Sequence, residues 1–133
     1  MTPECQYKAV TSSMSGLGDS GGHEMWLFST SGFVSIVSQG ELLLVRSRDQ
    51  ASLSQLTEFC NSRIEKTPLA DYPYRTVVSA EQLSKFVSDQ ILNICYRNFK
   101  SEVEDVLGHE FVKPLHKVWD IMHEVEDSKA RHR

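Results

Sequence analysis

The sequence predicts an α+β domain in which helices cover an antiparallel sheet, and three observations carry that expectation. The first is residues 25–46, MWLFSTSGFVSIVSQGELLLVR, which read as three short β-branched and aromatic runs separated by two compact turns. The second is a set of Ser/Gln and Ser/Glu pairs at capping spacing, each ahead of an apolar run of helical period. The third is bulk composition. A chain of 133 residues, 40% hydrophobic and 24% charged, fits one globular domain that can bury a core without metals or disulfides.

Residues 1–24 are rich in Ser and Gly and show no sustained period, so they bury too little apolar surface to offset their ordering entropy. They are expected to form a flexible leader, either native or an upstream extension of a protein that begins at Met25. Met25–Ser29 reads as a first strand, with Thr30-Ser31-Gly32 as its turn. Phe33, Val34, Ile36 and Val37 mark a second strand, Gln39-Gly40 the next turn, and Leu42–Val45 a third strand. The second and third runs are apolar at successive positions, the pattern of strands covered on both faces. Residues 49–62 read as a helix carrying Leu53, Leu56, Phe59 and Cys60, with Ser47 and Gln50 at capping spacing and Asp49 as a rival cap. After a loop with Pro68 and Pro73, Tyr74–Ser79 reads as a strand, and Ser79 with Gln82 caps a helix bearing Leu83, Phe86, Val87 and Ile91.

Residues 93–99 read as a short edge strand or extended segment. Ser101 and Glu104 are placed to open a short helix that Gly108 stops. A last helix runs from Glu110 or Pro114 to Glu126, the later start being preferred because proline is tolerated near a first turn. Residues 127–133 form a solvated tail. This order is that of an open-faced sandwich of ferredoxin-like type, or a permuted relative, with helices on one sheet face and an extra C-terminal helix. The domain spans residues 25–126. Its second sheet face requires the C-terminal helix or another subunit as cover, which predicts a homodimer.

The strings MWLFSTSGFVSIV, LLLVRSRD, DYPYRTVV, YRNFKSEV and HKVWDIM resemble a family of small uncharacterised bacterial proteins, over about residues 25–126. The resemblance implies a chain that starts at the MW position, Met25, and implies no activity.

Composition excludes several classes. A net charge of −4 argues against non-specific nucleic-acid or anionic-membrane binding, both of which lean on a basic surface, and leaves a local basic patch open. Residues 1–24 lack the basic start and apolar core of a signal peptide, and no run approaches the roughly 18 apolar residues of a membrane span. Cys5, Cys60 and Cys95 are widely spaced without a CxxC, which suits a reducing cytosol rather than a disulfide framework or zinc site. Neither a Walker A string, a GxGxxG nor a GxSxG is present, so no cofactor and no catalytic residue is assigned.

Three groups carry the chemistry that remains. Arg46 and Arg48 end the third strand, Arg75 lies beside Tyr72 and Tyr74, and Lys100 follows Tyr96 and Arg97. If these strand ends meet at one rim, guanidinium forks and tyrosyl hydroxyls suit a carboxylate or phosphate. Otherwise they are solvated caps and packing residues. On the C-terminal helix, His116, Asp120 and His123 fall within about 60° of one another, beside a core stripe of Leu115, Val118, Met122 and Val125. A metal there needs ligands from other elements, since zinc takes about four, so the plain reading is a polar face and no metal is assigned. Cys60 sits on an apolar helix face and reads as a small core residue, while Cys95 is open to either reading. The expected function is a non-enzymatic cytoplasmic module that self-associates and binds a protein or small ligand. The alternative is an anion- or metabolite-binding protein, or an enzyme, using the Arg/Tyr rim; nucleic-acid binding ranks last.

Overall fold

The computed structural model describes residues 23–126. The expectations for the leader, apart from positions 23 and 24, and for the tail from residue 127 fall outside that range. The described residues form an α+β fold built on one antiparallel five-stranded sheet of order β1-β2-β3-β5-β4.

Strands β1 (Glu24–Ser29), β2 (Gly32–Gln39) and β3 (Leu42–Ser47) make the expected meander. Thr30-Ser31 turns the first hairpin, and Gly40, with φ +65°, supplies the left-handed position in the second. Helix α1 (Ala51–Cys60) follows, then a two-residue strand β4 (Glu65–Lys66), then β5 (Tyr74–Ser79) and helix α2 (Ala80–Leu92). β5 returns to pair with β3, in the register Leu43 to Val78 and Val45 to Thr76. The chain closes with helices α3 (Phe99–Leu107) and α4 (His109–Ile121) and a 3-10 turn, Met122–Val125.

The core lies between one sheet face and the pair α1 and α2. Val34, Ile36, Val45 and Val78 from the sheet meet Leu53 and Leu56 of α1 and Leu83 and Phe86 of α2. Period-2 alternation in the strands meeting 3.6-residue spacing in the helices accounts for this set. The face so covered is the inner face. Gly32 makes the closest approach, for a Cβ there would stand 2.6 Å from the Cα of Ser52. Ser52 Oγ accepts the Phe33 N–H at 3.1 Å and donates to Asp49 Oδ1 at 2.7 Å, tying the start of α1 to the start of β2.

Helix ends show where local signals hold. Ser79 caps α2 in a full capping box, its hydroxyl accepting the Gln82 N–H while the Gln82 side chain accepts the Ser79 N–H. The pairing expected of Ser47 and Gln50 does not form. Ser47 is buried at the end of β3 and donates to the Asp49 carbonyl at 2.6 Å, so it is not free to cap. Ser101 is likewise no cap: Asn98 accepts its N–H at 3.1 Å and starts α3 two residues sooner, at Phe99. Residues 93–98 therefore carry no strand.

Helix α4 begins at His109, earlier than either expected start, and Pro114 is its sixth residue. Proline there forfeits the backbone bond to Glu110, a loss confined to an exposed stretch just past the first turn. The stripe Leu115, Val118, Met122 and Val125 fades along its length. Leu115 is buried and Val118 half-buried, but Met122 and Val125 are exposed, because the α-helix stops at Ile121 and the 3-10 turn rotates the last residues off that face. Among the described residues no helix is long and apolar enough to cross a membrane.

Candidate functional site: the arginine and aromatic face of the sheet

Residues that point away from α1 and α2 form the outer face. Register places Trp26, Ser35, Arg46, Arg75 and Glu65 in one row across all five strands. Phe28 and Phe33 stand together in the row on one side, and Val37, Leu44 and Val77 in the row on the other.

Rings run continuously through the first part of this face. Phe28 stacks on Phe33 at 4.6 Å, Trp26 meets Phe33 edge-on at 5.7 Å, and Phe33 lies 6.4 Å from Tyr72. Tyr72 is buried, and the guanidinium carbons of Arg46 and Arg48 each sit 4.6 Å from its ring centre. Contacts of this kind contribute about 0.5–1 kcal/mol each at partly exposed sites.

Charge on the face is largely internally matched. Glu24 Oε2 accepts from Ser35 Oγ at 2.6 Å, Trp26 Nε1 at 3.0 Å and Arg46 Nη2 at 3.3 Å. Arg46 also donates to Ser35 Oγ at 2.8 Å. Arg48 pairs with Asp71 at 3.0 Å, an exposed ion pair that contributes at most about 1 kcal/mol. Arg75 differs. It stands directly opposite Arg46, its Nη2 donates only to the Tyr72 carbonyl at 3.4 Å, and it makes no ion pair among the described residues. The Nε atoms of both Arg46 and Arg75 are buried without a hydrogen-bond partner. Glu65, next to Arg75 in the row, is exposed and also has no ion pair within the described chain.

Of the six residues grouped by sequence, Arg46, Arg48, Tyr72 and Arg75 thus converge. Tyr74 does not. It is the neighbour of Arg75 in the same strand and so points to the inner face, where it packs against the core with Lys66 Nζ 5.6 Å from its ring. Lys100 is also elsewhere, on α3, with its Nζ 4.7 Å from the Trp119 ring and 3.3 Å from His116 Nδ1.

The histidines of α4 and of the 3-10 turn after it are engaged in local contacts. His116 stacks on Trp119 at 5.8 Å, His123 meets that ring edge-on at 4.8 Å, and His109 lies 3.3 Å from Glu104. No group of three or more His, Cys, Asp or Glu side chains is placed to hold a metal among the described residues. Cys60 is half-buried against the core, and burial pushes its thiol up, away from the reactive thiolate; Cys95 is exposed.

Glu24, Trp26, Ser35 and Phe33 belong to this face although the sequence did not single them out. Their signal is the alternation of β1 folded back on β2 across a two-residue turn. The hydrogen bond from Ser35, then that from Trp26, and the charge of Arg46 together hold the Glu24 carboxyl below the usual carboxylate range. A depressed acid stabilises the fold above its unfolded value, and that contribution is lost as pH falls through the folded value. Trp26 fluorescence in a Trp119→Phe protein should therefore change with a midpoint below that of an ordinary glutamate, and Ser35→Ala should raise the midpoint. An unmoved midpoint in Ser35→Ala would show that the serine bond is not the main cause.

No family model matches the chain, and neither a curated protein nor a solved structure matches it.

Proposed function

We propose that this protein is a non-enzymatic, cytoplasmic interaction module that self-associates through the outer face of its sheet. One observation carries the reading. The end of that face beyond the arginine row presents Val37, Leu42, Leu44 and Val77 side by side, with Leu42 and Val77 45% and 43% exposed, and Trp26 is 61% exposed at the border. Contiguous apolar surface on one sheet face marks an interaction site. The pattern of β2 and β3, apolar at successive positions, also suits strands covered on both sides.

Charge supports a second copy as the occupant. Arg75 and Glu65 are adjacent in the row and unpaired within the described chain, so a two-fold axis over the face lets each meet its opposite on the other copy. The converging arginines serve the alternative, an anion or metabolite site, less well. Glu24 and Asp71 already neutralise two of them, and Ser35, whose hydroxyl donates to Glu24 beside Arg46, is fully buried. In fold terms the reading retains a permuted ferredoxin-like sandwich. Two helices against one face of an antiparallel sheet support that, and the order β1-β2-β3-β5-β4 is what a permutation has to explain.

Sedimentation equilibrium at high micromolar concentration tests the proposal. The protein should run as a dimer, and Val77→Asp, which places a charge on the exposed patch, should leave a folded monomer with at least tenfold weaker association. A strict monomer for the unaltered protein, or a Val77→Asp dimer of undiminished affinity, would overturn it.

A further inference from the structure

A second concave feature lies apart from the exposed sheet patch. Between β1 and the α3–α4 hairpin is a cavity of about 410 Å³, within the usual range for small-molecule sites. Its apolar lining comes from Phe28, Phe99, Leu115, Val118 and Trp119, and its polar lining from Arg97, Asn98 and Lys100. Among the described residues no carboxylate lines it.

The two cations are the informative part. Acidic residues outnumber basic ones in this chain, 18 to 14, so basic side chains have acids to find. Among the described residues, neither of these two has found one. Lys100 rests on Trp119 and His116, and Arg97 is exposed with no ion pair among the described residues. Asn98 is neutral and offers no counter-charge, and its side-chain oxygen already accepts the Ser101 N–H. Two cations with no ion pair among the described residues thus flank an apolar cavity in an acidic protein.

We propose that this cavity binds a small monocarboxylate with an apolar body, the carboxylate held by Arg97 and Lys100 and the body against Phe28, Leu115 and Val118. Arg97 supplies the forked donor geometry that a carboxylate matches, and Lys100 a second charge from the first turn of α3. The dipole of α3 adds to the same positive potential. The cavity walls take the hydrocarbon, whose burial contributes roughly 25 cal/mol per Å².

The probe is octanoate, titrated into the full-length protein and followed by calorimetry and by Trp119 fluorescence in a Trp26→Phe background. Saturable binding is expected, with a Kd on the order of 1 mM or below, as befits a ligand of about ten heavy atoms. Octanol, with the same tail and no charge, and acetate, with the charge and no tail, should each bind at least tenfold more weakly. Arg97→Met and Lys100→Met should each weaken octanoate at least fivefold. Arg97→Met should leave the thermal midpoint unchanged, since Arg97 is exposed and has no ion pair among the described residues, whereas Lys100→Met also removes the contact with the Trp119 ring and lowers the midpoint slightly. Val118→Trp, which fills the cavity, should abolish binding. The proposal is overturned if octanoate fails to saturate at 10-fold above that Kd, if octanol binds as well as octanoate, or if both methionine variants bind unchanged. Because Val77 lies on another part of the sheet, the Val77→Asp protein should keep octanoate binding, so failure of one proposal is separable from failure of the other.

Discussion

Alanine in place of Gly32 is expected to destabilise the protein by about 3–5 kcal/mol, a large fraction of the 5–15 kcal/mol that holds a domain of this size together. Two independent causes add. Gly32 has φ +134°, which an L side chain rarely adopts, and its Cβ would lie 2.2 Å from Ser52 Oγ and 2.6 Å from the Ser52 Cα. A rotamer change can move the hydroxyl but not the backbone behind it. Relief therefore requires α1 to move off the β1–β2 hairpin, breaking the Phe33 N–H to Ser52 Oγ bond. Gly40→Ala is the matched control, because Gly40 also has positive φ, +65°, but faces open space. It should lose only about 1–2 kcal/mol. Urea unfolding of both variants decides the matter, and equal losses would refute the close approach.

Leu53→Ala should lower stability by about 3–4 kcal/mol. Leu53 is fully buried, in the first turn of α1 and in the cluster formed with Val34, Ile36, Val45 and Phe86. Its removal leaves a hole between the helix layer and a sheet whose strands are held in place by their ladder, so the walls cannot readily close on it. Phe59 is on the same helix but 49% exposed, so Phe59→Ala should lose well under half as much despite deleting more atoms. The urea midpoint should fall with an unchanged slope. A Leu53→Ala loss under about 1.5 kcal/mol would mean that the layers relax.

The meander, β5 and α2 were legible because local and tertiary demands agree there. Turn residues bound each β-branched run, and the Ser79–Gln82 box caps the helix whose Leu83 and Phe86 then enter the core. Failures occurred where a serine at capping distance was already engaged. Burial at the end of β3 removes Ser47 from competition, and Asn98 captures the Ser101 N–H before Ser101 can act. Pro114 misled in the opposite sense, since one lost backbone bond on an exposed stretch is too small a penalty to move the start of α4. Part of the arginine rim was readable and part was misgrouped. Consecutive strand residues face opposite ways, which separates Tyr74 from Arg75 before any register is known. That Arg46 and Arg75 stand opposite each other is different in kind, because β3 and β5 are joined through α1 and β4 and only the folded register aligns them. The cavity beside Trp119 was illegible for the same reason, drawing on β1, the α3 entry and α4.

The two borders of the sheet are unequal. At the far border, β4 covers the first residues of β5 with only two positions, Glu65 and Lys66, both charged and exposed, and the remainder of β5 runs straight into the capped start of α2. Short, charged borders resist the docking of foreign strands. β1 offers the reverse, six consecutive residues paired, among the described residues, on one side only, with Met25, Trp26 and Phe28 exposed along them. Among the described residues β1 is therefore the longer open border for an extended peptide that lengthens this sheet, and growth there is directional: the first strand added to β1 becomes the template for the next.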